Sequence, residues 1–67
     1  MKLHEAIIHV LQQNGRPMGT REIANEINRQ VLYVRQDILA KQICQRIHAD
    51  SYEHLFTNTI GLSEWNI

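Results

Sequence analysis

Three short apolar stripes at helical spacing limit what this chain can become. Leu3, Ala6, Ile7, Val10 and Leu11 fall at i, i+3, i+4, i+7 and i+8, one face of an amphipathic helix. Asn14-Gly15 ends that helix, because glycine takes the left-handed cap conformation without steric cost. Pro17 has no N–H for a helix interior and disfavours helical geometry at Arg16, so Arg16-Pro17-Met18-Gly19 reads as an extended or turn segment. Thr20 is the predicted N-cap of a second helix, with Glu22 at the positive end of its dipole. Ile23, Ala24, Ile27 and Val31 form its apolar stripe, and Arg21, Glu22, Glu26 and Arg29 its solvent face. Val31 to Val34 reads as a short β-like connection. Asp37 is the predicted cap of a third helix whose apolar stripe is Leu39, Ala40, Ile43, Cys44 and Ile47.

The remainder has a different period. Leu55-Phe56 reads as a short strand, Thr57-Asn58-Thr59 as a hairpin tip, and Ile60 to Trp65 as the return strand. Ile60 and Leu62 share one face, and Trp65 has the opposite parity, which asks for a twist or bulge near Ser63. The only tryptophan would close the core by packing over the helix ends. Helix, extended segment, helix, helix, hairpin is the order of a winged helix-turn-helix, provided that Met18 pairs with the hairpin edge. The fold class expected is therefore mainly α with a small β-hairpin. Residues 1–67 form one domain, either alone or as a module of a longer protein. A chain this short buries only about 60% of its unfolded surface, which leaves no room for a large enclosed active site.

Charge and composition narrow the function. Seven Lys/Arg balance seven Asp/Glu, for a net charge of zero. Most nucleic-acid-binding domains are basic, so this balance argues against tight binding. The distribution is uneven, however. Residues 1–48 carry all seven basic groups against four acids, a balance of +3, and residues 49–67 carry Asp50, Glu53 and Glu64 with no base, a balance of −3. No apolar run approaches the roughly 18 residues of a membrane span, and the N-terminus lacks the features of a signal peptide. The single cysteine, Cys44, excludes an internal disulfide. The expected location is the cytoplasm, on the nucleoid if the source is bacterial.

The segments "LHEAIIHVLQQNGRPMGTREIANEI", "LY", "QICQRI", "LF" and "IGLSEW" resemble the HARE-HTH domain along nearly the whole chain. This is a winged helix-turn-helix module of chromatin regulators, restriction-modification proteins and the delta subunit of bacterial RNA polymerase. The matching positions include Leu3, Leu11, Gly15, Pro17, Ile23, Ile27, Tyr33, Ile43, Arg46, Phe56, Gly61, Leu62 and Trp65. Most of them are structural. The resemblance implies double-stranded DNA as partner in chromatin and restriction contexts, and protein in the polymerase subunit. The stretch between Tyr33 and Ile43 is shorter here than in many relatives, and the hairpin tip has no Lys or Arg. Both features point to weak binding.

Lys41, Gln42, Gln45 and Arg46 lie at i, i+1, i+4 and i+5 of the third helix and so point one way. A helix entering the major groove needs this mixture, because Gln pairs with adenine and Arg or Lys with guanine or phosphate. The bland alternative is a solvated helix face, and Arg46 has a structural alternative as a partner for a loop. Thr20 and Arg21 sit at a helix N-terminus, a ready phosphate site that Arg16 would join, although Thr20 serves equally as a plain cap. Arg35 is a further phosphate candidate in the connection. Cys44 and His48 have a metal pair's spacing, but no second pair accompanies them and Cys44 lies on the apolar stripe, so an inert buried thiol is expected. No cofactor, metal or small-molecule substrate is expected. The scattered carboxylates and the absence of a phosphate-binding loop argue against an enzyme. Ile8 and Val34, apolar and off the stripes, mark a contact with a protein partner or a second copy.

Overall fold

The computed structural model describes residues 1–58 and 64–67. Helix α1 spans Leu3–Asn14 and buries the five residues of the first stripe. The Glu5 carboxylate accepts the Lys2 backbone N–H at 2.8 Å and so satisfies one of the free donors of the first turn. At the other end Gly15 takes φ 62° and donates its N–H to the Leu11 carbonyl at 3.0 Å. Strand β1, Met18–Gly19, leads directly into helix α2, Thr20–Gln30. The cap of α2 is Gly19 rather than the predicted Thr20. Glu22 reaches back to the Gly19 N–H at 3.4 Å, which leaves Thr20 as the first helical residue.

The second stripe stops one turn early. Ile23, Ala24 and Ile27 are buried, but Val31 is 57% exposed and ends α2 in the left-handed region with φ 54°. No strand forms in the 31–39 connection. Instead Asn28 holds it. Its side-chain amide donates to the Ile38 carbonyl at 2.9 Å, and its oxygen accepts the Ile38 N–H at 3.0 Å. Ile38 is thereby fixed in the core at 4% exposure, while the neighbouring Leu39, predicted to be buried, is 58% exposed. Helix α3, Ala40–Ile47, is capped not from Asp37 but from within, because Gln42 accepts the Leu39 N–H at 2.8 Å. Of its stripe, Ile43 and Ile47 are fully buried; Ala40 and Cys44 are half-buried.

The hairpin is shifted along the chain. Glu53–Leu55 is a single 3-10 turn, so the strand predicted at Leu55-Phe56 begins later, as β2, Thr57–Asn58. The return strand β3 is Glu64–Asn66. Thr59, with which the predicted tip ends, and Ile60, Leu62 and the bend near Ser63 lie outside the described residues. The strands form an antiparallel sheet in the order β1-β3-β2, with Trp65 opposite both Met18 and Asn58. Met18 thus pairs with the hairpin as the winged arrangement requires, and it is 1% exposed. Trp65 is half-buried against the core and meets the edge of His48 at 5.0 Å, just beyond the end of α3. Its ring contact is thus at one helix end, that of α3, and the indole is only partly enclosed. All three helices pack pairwise around one core, which α1 supplies from Leu3 to Leu11 and the sheet closes through Met18.

Candidate nucleic-acid interface

The predicted residues divide into two groups. Arg16, Thr20 and Arg21 lie around the start of α2. Arg35, Gln42, Gln45 and Arg46 line one recess between the connection and α3, and Lys41 stands on α3 outside it. The four α3 residues are not equivalent. Lys41 and Gln45 are exposed; Gln42 and Arg46 are half-buried. Gln42 spends its carbonyl oxygen on the helix cap, which leaves its amide N–H groups as donors. The Arg46 guanidinium carbon lies 5.5 Å from the centre of the Tyr52 ring, a cation–π distance. Tyr52 in turn stacks on His4, with ring centres 4.2 Å apart and planes 16° from parallel. The sequence suggests a structural partner for Arg46; its identity is not legible there, because Tyr52 and His4 come from distant segments.

Ion pairing sorts the seven basic side chains. Arg16 pairs with Glu22 at 2.9 Å, and the hydrogen bond holds the Glu22 carboxyl below its ordinary range and the guanidinium above its own. Arg29 grips Glu26 through two nitrogens at 2.6 and 2.9 Å. Those bonds, with one from Gln30, hold the Glu26 carboxyl at about 2. The like-charged Glu22 and Glu26 are thus each neutralised by an arginine. Arg35 lies 3.5 Å from Asp37. Among the described residues Lys2, Arg21, Lys41 and Arg46 have no carboxylate within ion-pair distance. Three cations are internally spent, while Arg21 and Lys41 are both exposed and unpaired.

Cys44 is half-buried, not fully enclosed as the sequence implies. Among the described residues no three His, Cys, Asp or Glu side chains are grouped to hold a metal. The described helices include none long and apolar enough to cross a membrane. The apolar connection 31–39, which the sequence offers as a docking surface, has Val31, Val34 and Leu39 exposed at 57, 84 and 58%. The sequence singles out Val34, but its periodicity assigns the other two to the core. Ile8, singled out with Val34, is instead half-buried against the core.

Three helices, a pinned turn between α2 and α3, and an antiparallel sheet completed by the segment before α2 define a winged helix-turn-helix domain. Helix α3 takes the position of the recognition helix and β2–β3 that of the wing. The chain belongs to the HARE-HTH family, a helix-turn-helix domain whose description names ASXL and restriction endonuclease, and the family model matches residues 1–65. No curated protein and no solved structure gives a significant match.

Proposed function

We propose that this domain is a DNA-binding or DNA-sensing accessory module, not an enzyme, that places α3 in the major groove and directs a larger protein or complex to DNA. The observation that carries this reading is the pair of exposed, unpaired cations, Arg21 at the start of α2 and Lys41 at the start of α3, the latter one turn before the exposed amide of Gln45. An α-helix with its side chains is about 10–12 Å across, which the roughly 12 Å width of the major groove admits. Lys41 and Gln45, one turn apart, then face base edges, with the free amide of Gln42 behind them. Arg21, with Thr20 beside it, holds a phosphate at the helix N-terminus. Arg16 and Arg35 contribute less, because each must leave a carboxylate to do so. Arg46 supports the helix through Tyr52.

Few free cations mean weak binding that salt weakens further. Each neutralised phosphate contributes about −0.9 to the slope of log affinity against log salt, so two to four contacts give about −2 to −4. The test is an NMR titration of the labelled domain with a mixed-sequence duplex at two salt concentrations, repeated on a Lys41→Glu/Arg21→Glu variant. Shifts at residues 20–21 and 41–46 that fade with salt and vanish in the variant support the reading. Unchanged affinity in the variant removes it.

A second reading, docking to a protein without nucleic acid, is favoured by the apolar connection. Val31, Val34 and Leu39 are exposed together, and Val31 adopts φ 54°, a conformation that costs a β-branched residue free energy with no packing in return. Loss of a partner protein or of self-association in Val34→Asp, with DNA affinity unchanged, would identify this surface as the functional one.

A further inference from the structure

Two recesses lie side by side, the first bordering α3 at Gln42 and Gln45, and they share Leu3, Tyr33 and Arg46 as a common wall. The first, about 310 Å³, is completed by Arg35, Gln42 and Gln45. The second, about 420 Å³, is completed by Lys2, His4 and Tyr52 from the N-terminal end of α1 and the segment after α3. Each has the size of a small-ligand pocket, at the lower end of the range from roughly 300 Å³ upward. Together they make one groove with a basic group at either end and one in the wall.

The groups in this groove are prepared for a particular kind of ligand. Tyr52 is already engaged by His4 and Arg46, and so fixes both. Tyr33 has no hydrogen bond, ion pair or ring partner among the described residues, yet it is packed against the core and lines both recesses. Gln42 has spare N–H donors, whereas Gln45 at the rim faces the duplex. The one carboxylate lining the groove among the described residues, Glu5, is occupied by the Lys2 backbone N–H, which holds its carboxyl below the ordinary range. An immobilised but unpartnered aromatic residue, the Gln42 amide beside it and cations spaced along the groove match a nucleotide whose base is not paired. The base stacks, its edge meets the Gln42 N–H donors, and the flanking phosphates meet Lys2, the edge of the Arg46 guanidinium and, once it leaves Asp37, Arg35. An acidic peptide would use the cations alone.

We infer that the groove holds one unpaired nucleotide of a strand that overhangs the duplex bound by α3, so that the domain prefers DNA ends or single-strand junctions to continuous duplex. This rests on the DNA-binding reading above and gives it a substrate class. The test compares, by fluorescence anisotropy at low salt, a blunt duplex with the same duplex carrying a short single-stranded overhang. The overhang should bind about fivefold tighter or better, the gain that stacking one base supplies. Tyr33→Leu and Lys2→Glu should each remove that gain and leave blunt-duplex affinity unchanged. Lys41→Glu should weaken both DNAs alike. Should circular dichroism show Tyr33→Leu to be unfolded, Lys2→Glu decides, since its side chain is exposed and makes no hydrogen bond or ion pair among the described residues. Equal affinity for the two DNAs overturns the inference while duplex recognition stands, as does a gain that survives Lys2→Glu. If neither DNA binds, duplex recognition and the groove fall together.

Discussion

Asn28 is the residue on which the geometry of the helix-turn-helix most depends, and Asn28→Ala is the sharpest test of the packing described. The side chain makes two hydrogen bonds to one peptide position, donating to the Ile38 carbonyl at 2.9 Å and accepting its N–H at 3.0 Å. Ile38 is 4% exposed, so water cannot freely replace either bond. A net hydrogen bond is worth about 0.5–1.5 kcal/mol, and a buried group left without a partner costs about 1–3 kcal/mol. Two such bonds, on a half-buried donor, put the loss at about 2–4 kcal/mol. A domain of this size has a total stability of only about 3–10 kcal/mol, so the variant should lose much of its urea resistance. The assay is urea denaturation followed by Trp65 fluorescence and by far-ultraviolet circular dichroism, with the slope checked for a change of denatured state. Asn28→Asp discriminates further. It keeps the acceptor for the Ile38 N–H but sets a carboxylate against the Ile38 carbonyl, so it should be nearly as damaging at neutral pH and partly recover when the acid is protonated. A loss below about 0.5 kcal/mol in Asn28→Ala, well under the cost of even one buried unpaired group, would show that the connection is held by something other than this clamp.

Val31→Gly should stabilise the domain by up to about 1 kcal/mol. It relieves a left-handed conformation that costs about 1–3 kcal/mol and gives back part of the gain in chain entropy, as a shift in urea midpoint would show. Gly15→Ala should cost about 1 kcal/mol. Its φ is 62° and nothing lies within 4 Å of an added methyl group, so thermal denaturation would register backbone strain alone. Glu26 gives a pH dependence with a defined sign. Its carboxyl ionises at about 2 in the folded domain, against 4.5 as its ordinary value. Between those values the unfolded chain binds more protons, so the contribution is complete above pH 4.5 and is lost as pH falls toward 2. Glu26→Gln should flatten the melting-temperature profile across that window, differing most from the parent at pH 7, where the contribution is complete, and converging on it toward pH 2; a profile as steep as that of the parent would refute the Arg29 pairing.

What is legible in the sequence is what repeats locally. The α1 stripe, the Gly15 stop and the Pro17 break all follow from near-neighbour geometry, whereas the extended segment at Met18 becomes a strand only by pairing with distant Trp65. The errors cluster where a distant residue decides. Leu39 and Ile38 are both apolar and adjacent, and periodicity alone gives the stripe to Leu39. Asn28, ten residues away, fixes Ile38 inward instead, and the cap passes from Asp37 to Gln42 as a consequence. Val31 continues the period of α2, but the helix has already ended there. For the candidate site, the sequence identifies the polar residues of α3 but cannot grade them, because charge counting treats every arginine alike. The ion pairs do the grading: Arg16 and Arg29 are tied to carboxylates on α2, whereas Arg21 and Lys41 remain available. A chain of zero net charge therefore still keeps exposed, unpaired cations at the starts of α2 and α3. The apolar connection and the cationic helix ends are different surfaces, so a charge reversal at Lys41 and an acid at Val34 should not produce the same loss. If they did, the two readings proposed for this domain would describe one composite interface in which a protein partner and DNA are bound together.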